Sequence, residues 1–192
     1  AGAVAELIHR TGNSGLSRLL RLPRADWGKA VAHAGLGVTF IGVGLLTAWQ
    51  VEDVRVAQFD QPFQLGGYDF TLRKVDQVQG PNYVSAMATI DVAQDGSRIA
   101  TLHPEKRVYP VQAMPTTEAA ISNGVFRDIY VVIGDPQPDG GWAVRSYVKP
   151  FANWIWAGSI LMALGGSISL TDRRYRVAAG AARIAPGTVP AE

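Results

Sequence analysis

The alternation of apolar and polar positions divides this chain into three regimes. Residues 30–49, AVAHAGLGVTFIGVGLLTAW, carry no formal charge and one histidine, and residues 151–170, FANWIWAGSILMALGGSISL, carry no charge at all. A helix rises about 1.5 Å per residue, so either run is long enough to cross a hydrocarbon core of about 30 Å. Between them, residues 50–150 lose the helical period. Short β-prone runs (VRVAQF, YDFTLRKV, YVSAMATIDV, RIATL, RVYPVQAM, IYVVIG and WAVRSYV) alternate with turn signals at Gly66-Gly67, Gly80-Pro81-Asn82, Asp95-Gly96 and Asp139-Gly140-Gly141. Asp95-Gly96 predicts a tight hairpin. The spacing predicts two transmembrane α-helices flanking an extracytoplasmic antiparallel β-domain, a small barrel or sandwich. Thr117–Ile121 reads equally as a helical turn or an edge strand.

Charge gives the arrangement a direction. The chain has 18 basic and 16 acidic residues, a net charge of +2, but they are segregated. Arg10, Arg18, Arg21, Arg24 and Lys29 precede the first apolar run, and Arg173, Arg174, Arg176 and Arg183 follow the second. Two crossings put both clusters on one side, which the positive-inside rule makes the cytoplasm. Trp27, Trp49, Trp154 and Trp156 stand near the run ends, where interfacial tryptophans belong. The chain is thus divided into a cytoplasmic link or the end of a preceding span (1–29), a transmembrane helix (30–49), a periplasmic β-domain (50–150), a second helix (151–170) and a cytoplasmic tail (171–192). Its SRLLRL stretch suits an anionic inner leaflet. The first residue is Ala, and the chain reads as a fragment of something longer.

Several chemistries drop out. There is no cysteine, hence no disulfide, thiol or cysteine-ligated metal within the chain. No basic patch interleaves with a stacking platform, so nucleic acid is not an expected partner. Neither a Ser-His-Asp set nor a phosphate-binding glycine loop is present. Three clusters stand out in the middle domain: Pro104-Glu105-Lys106-Arg107, by default a solvated rim; Arg127-Asp128, by default a structural ion pair; and Gly80-Pro81-Asn82-Tyr83, which turn geometry explains.

His9 and His103 fall in loops and receive no role. His33 differs, because it sits about 6 Å inside an apolar run. An ionisable residue there is costly and is a functional candidate, whose bland reading is a hydrogen bond to a neighbouring helix. A neutral imidazole is a haem-iron ligand. His33, Gly37, Phe40 and Gly44 share one helical face, with Gly37 leaving room for a flat macrocycle. Gly158, Met162, Gly165 and Ser169 repeat that spacing in the second run, where helix packing is the expected use. The second run offers no histidine, so a second haem ligand would come from elsewhere.

The residues also carry a resemblance. AHAGLGV (32–38), LGGYDFTL (65–72), GPNY (80–83), LHPEKRVYP (102–110), MPTTEAAI (114–121), RDIYVVIG (127–134), WAVRSYVKP (142–150) and WIWAGSILMALGGSISLTDRRYR (154–176) resemble, in order, the C-terminal part of the CcmF cytochrome c-type biogenesis family, the haem lyase family. The resemblance implies a bacterial inner-membrane protein acting in covalent attachment of haem to the Cys-X-X-Cys-His motif of apocytochrome c. It implies as partners a membrane-anchored haem chaperone, a thioredoxin-like subunit presenting apocytochrome c, and the N-terminal half of the same protein. It makes His33, the histidine of the family's AHxG motif, an axial ligand of a transmembrane haem b. Glu105, Lys106, Arg107, Arg127 and Asp128 are the candidate partner surface.

Departures matter. Lys29 stands where the family often has Met. The family's tryptophan-rich haem-handling segment, its two flanking periplasmic histidines and its second transmembrane histidine are absent from this sequence. The expectation is a component inactive by itself, whether truncated or completed by a separately encoded half. The competing expectation is a structural membrane anchor with a passive scaffold domain. A transporter subunit is weaker, since a single polar residue in two spans defines no pathway.

Overall fold

The computed structural model describes residues 23–111 and 114–172. The basic N-terminal link with SRLLRL, His9, and the tail beyond Asp172 lie outside those residues. Helix α1 runs Arg24–Trp49, strands β1 to β10 follow, and helix α2 runs Ala152–Leu170. The chain divides into two compact units, one containing residues 42–154 and the other containing the remainder of both helices.

The strands are Val51–Ala57, Pro62–Leu65, Tyr68–Gln79, Val84–Gln94, Ser97–Leu102, Glu105–Tyr109, Met114–Glu118, Ala120–Ser122, Arg127–Pro136 and Trp142–Pro150, numbered β1 to β10 in that order. One sheet has the order β1-β10-β9-β8; the other has β2-β3-β4-β6-β7, with β5 also paired to β4, and every ladder is antiparallel. Alternate residues of each sheet face inward. Ile129, Val131 and Ile133 on β9 and Val144 and Val148 on β10 meet Phe70 and Leu72 on β3 and Ala88, Ile90 and Val92 on β4. Phe63 stacks on Phe70 at 5.4 Å between ring centroids. Ser146 lies in the same buried layer, and its hydroxyl has no hydrogen-bond partner among the described residues. The two-layered core settles the choice between barrel and sandwich in favour of the sandwich.

The turns behave as their chemistry requires. Asp95 and Gly96, with φ of 49° and 76°, close the β4–β5 hairpin. Gly66 and Gly67 close β2–β3, and a Cβ on Gly66 would stand 2.9 Å from Val51 Cγ2. RVYPVQAM differs from expectation. It is not one strand: it ends β6 at Tyr109 and begins β7 at Met114, and the two strands pair antiparallel, with Pro110 just past β6, where its missing N–H costs no ladder bond. TEAAI is edge strand rather than helix. It changes sheets at Ala119, with Glu118 paired to Glu105 and Ala120 to Val131.

Helix α1 begins six residues before the apolar run. The Pro23 carbonyl accepts from Asp26 N and Trp27 N at 3.1 and 3.3 Å, and Ala25 N donates to the buried Asp172 carboxylate at 3.1 Å. Asp172 thereby supplies an anion to the positive end of α1. The helices are antiparallel, with Gly28 opposite Gly165 and Gly35 opposite Gly158. A Cβ on Gly35 would stand 2.6 Å from the Gly158 carbonyl oxygen, and one on Gly28 2.5 Å from that of Gly165. Among the described residues α1 is the one helix long and apolar enough, by length and composition, to cross a membrane, and only 11% of its apolar stretch is buried. Helix α2 carries no charge and includes Asn153, two tryptophans and three serines.

Candidate functional site

His33 lies on a face of α1 that α2 does not use. Gly28 and Gly35 are buried against α2, whereas His33, Gly37, Phe40 and Gly44 are exposed. A Cβ on Gly37 or Gly44 would meet nothing within 4 Å, and Phe40 is 67% exposed. So the two residues of the AHxG motif divide the work: Gly35 permits the close approach of α2, and His33 faces away from it. In α2, Gly158 and Gly165 serve packing as expected, and Thr39 Oγ1 of α1 reaches the Ile155 carbonyl at 3.5 Å.

The imidazole is oriented by its own helix. His33 Nδ1 stands 2.8 Å from the Lys29 carbonyl oxygen, one turn earlier. A carbonyl only accepts, so Nδ1 carries a proton, and in the neutral ring the lone pair is on Nε2. A backbone carbonyl on one ring nitrogen is the usual means of fixing the other as a metal ligand. The donor type, its tautomer and the open glycine face beside it fit an axial haem contact.

The structure brings two of the three outer clusters together. Glu105, Lys106 and Arg107 lie on β6, paired with the start of β4, which follows the Gly80–Tyr83 turn. The turn closes through Gly80 N donating to the Tyr83 carbonyl at 2.8 Å, and the Tyr83 ring lies where a Cβ on residue 80 would be. Arg107 lies over that ring, 4.6 Å from its centroid, and the Tyr109 ring, on the same face of β6, stands 5.6 Å from the Tyr83 ring. Arg107 Nε donates to Glu105 Oε2 at 2.9 Å, and Glu118 adds a contact at 3.3 Å. The Arg107 hydrogen bond holds the Glu105 carboxyl below the usual carboxylate range, against the opposing effect of burial. Lys106 pairs with Asp135 of β9 beside a cleft of about 230 Å³ lined by Ser85, Val108 and Trp142. His103 is exposed in the β5–β6 connection.

Arg127 and Asp128 stand apart from this group and do not pair with each other, because neighbours on a strand point to opposite faces. Arg127 Nε donates to Tyr68 Oη at 3.0 Å, and its guanidinium covers the Tyr68 ring. Asp128 is buried. Its Oδ1 accepts from Gly124 N at 3.0 Å and from Asn153 Nδ2 at 2.9 Å. Its role is to fasten the loop before β9 to the first turn of α2. Sequence reasoning missed Asn153 and Asp172 as partners of helix ends. An Asn at a helix start and an Asp after a helix end were the available signals.

A family model described as the CcmF C-terminal beta-sandwich matches residues 48–150. The chain is 65% identical over 182 residues to the cytochrome c-type biogenesis protein ccl1 of Rhodobacter capsulatus, covering 95% of this chain and 28% of that protein. It is 42% identical over 188 residues to the cytochrome c-type biogenesis protein CcmF of Escherichia coli, covering 97% of this chain and 28% of that protein. The chain therefore spans little more than a quarter of the length of these relatives. A solved structure, cytochrome c heme lyase CcmF, shares the fold with a TM-score of 0.66 at 16% identity, over 88% of this chain and 28% of that one. By its sandwich and by these relatives, the chain belongs to the CcmF family of cytochrome c-type biogenesis proteins, in that family's C-terminal region.

Proposed function

We propose that this chain is the C-terminal component of a cytochrome c haem lyase, in which α1 and α2 cross the inner membrane, His33 ligates a haem b, and the sandwich is a periplasmic docking domain. The observation that carries the reading is the set of His33, Gly37, Phe40 and Gly44 on the face of α1 turned away from α2, with Nδ1 bound to the Lys29 carbonyl. Small residues placed only for helix packing would face the partner helix, as Gly28 and Gly35 do. A haem so held supplies one-electron chemistry to the site. His33 would hold the iron through Nε2, with the Lys29 carbonyl fixing the ring and Gly37 and Gly44 leaving the adjoining helix face open. The second ligand and the covalent attachment to Cys-X-X-Cys-His belong to the rest of the protein.

For the outer domain, the reading assigns contact with the haem chaperone or the thioredoxin-like subunit to the face carrying Glu105, Lys106 and Arg107, with Tyr83 and Tyr109 beside them. Arg107 lies over an aromatic ring and is flanked by two carboxylates, so it is a pre-ordered group rather than a loose surface charge. Arg127 is a lesser contributor, and the buried Asp128 acts through the loop it holds.

The test is haem b content, by absorption spectroscopy of the complete natural complex, with His33 and with His33→Ala. The expected result is loss of the b-type spectrum in the Ala form and recovery with added imidazole. Full haem with an unchanged spectrum in the Ala form would overturn the ligand assignment and reduce this chain's share to scaffold and docking.

A further inference from the structure

The loop between β8 and β9 has an unusual property for a surface loop. Beyond the exposed Asn123, its tip is apolar, Val125 at 69% and Phe126 at 63% exposure, while the carbonyls of residues 124 to 126 are engaged. Gly124 O accepts from Asn153 Nδ2 at 2.9 Å, Val125 O from Trp154 Nε1 at 3.0 Å, and Phe126 O from Phe151 N at 2.9 Å. Gly124 N is bound to Asp128. An aqueous loop leaves such groups to water and turns polar side chains outward. A loop whose tip dips toward the hydrocarbon must satisfy internally the backbone groups it carries there and present apolar side chains.

The position of the loop points the same way. Phe126 packs on Phe151 at 6.1 Å and on Trp154 at 6.3 Å, Phe151 on Trp154 at 5.1 Å, and Trp49 on Phe151 at 6.4 Å. Trp49 ends α1, and Trp154 lies in the first turn of α2. Phe151 holds φ at 57°, a costly conformation for an aromatic residue, and thereby turns the chain from β10 into α2 with its ring inside this cluster. Trp and Tyr at span ends form the interfacial belt. Here a loop of the outer domain is hydrogen-bonded into that belt.

We propose that Val125 and Phe126 form a lipid-facing anchor that seats the sandwich on the outer leaflet interface, with Asp128 and Asn153 as the residues that position it. The inference rests on the reading of α1 and α2 as membrane spans. It gives the outer domain a membrane contact of its own, made by a loop of the sandwich.

The test uses site-directed nitroxide labels in a cysteine-free background of the full-length natural protein, reconstituted in phosphatidylethanolamine–phosphatidylglycerol vesicles. Labels replace Val125, Phe126, Ile41 in α1, and Ser97 in the β4–β5 hairpin. Collision with oxygen, which concentrates in lipid, is compared with collision with a water-soluble nickel chelate. The expected result is that the oxygen-to-nickel preference at Val125 and Phe126 is reversed relative to Ser97. Nickel preference at both positions, with Ile41 oxygen-preferring, would overturn the anchor and leave the spans standing. Shielding of both positions from both reagents would also overturn it, since the cluster would then be covered by protein. Nickel preference at Ile41 would mean that α1 does not cross, and the anchor would fall with it.

Discussion

The helix pair and the sandwich are held by opposite kinds of contact. In the sandwich, large side chains interdigitate: Phe70, Leu72, Ile90, Ile129 and Ile133 are fully buried between two sheets. In the helix pair almost nothing large is buried. Backbone meets backbone at Gly28, Gly35, Gly158 and Gly165, while Leu36, Phe40, Ile41, Ile160 and Leu164 face outward. The sandwich is an arrangement for water, which drives apolar side chains together. The helix pair leaves its large apolar side chains outward and is joined by close backbone approach, as the proposed membrane setting would require. The difference teaches where substitutions will hurt: adding atoms should break one region, and removing them the other.

The largest effect is therefore expected from Gly158→Leu. A Cβ alone would stand 2.5 Å from the Gly35 carbonyl oxygen, which is backbone and has nowhere to go. The α1–α2 pair should separate, seen as lost recovery of folded protein in detergent. Gly166→Leu is the control, because a Cβ there meets nothing within 4 Å. Equal recovery of the Gly158→Leu and Gly166→Leu proteins would show that these helices are not joined through glycine. In the sandwich the converse holds. Ile133→Ala should cost about 2–5 kcal/mol through lost burial and a residual cavity. This would appear as a lower urea midpoint for unfolding of the β-domain, with the helices unaffected. A loss below about 1 kcal/mol would mean that the two sheets do not enclose a close-packed core.

The same contrast explains what the sequence made legible. The strands were visible because half-buried sheets impose a period of two on residues such as Ile129, Val131 and Ile133. The corner at Pro110 and the sheet change at Ala119 were not, because a bend inside a β-prone run leaves the period almost intact. The helical runs were visible by length alone. Which face of α1 meets α2 was hidden, because glycines occupy both faces: Gly28 and Gly35 on one, Gly37 and Gly44 on the other. Periodicity marks each stripe and cannot rank them. His33 was legible as an oddity of polarity. Its tautomer needed the helical geometry that brings the Lys29 carbonyl to Nδ1. The Arg107–Tyr83 contact needed the pairing of β6 with β4, which joins residues far apart in sequence.

The smallest effect concerns charge on the outer domain, where the comparison with the helix pair, charged only at its ends, is sharpest. Arg107 holds the Glu105 carboxyl below its ordinary range. Asp91 is also held low: burial pushes it up, but hydrogen bonds from Thr101 and Arg73 and the charge of Arg98 outweigh that. A carboxyl depressed on folding binds protons more readily in the unfolded chain, so its contribution is complete above the unfolded value, about 4 to 4.5. It is lost as pH falls through the lower folded value. The sandwich should lose stability on acidification below about pH 5, and Glu105→Gln should flatten that slope while leaving the helix pair's response unchanged. The change should be a small fraction of the Ile133→Ala loss, because both partners keep contact with solvent, where ion pairs are weak. A Glu105→Gln protein with an unaltered acid slope would assign the pH dependence to Asp91 and its partners Arg73, Arg98 and Thr101.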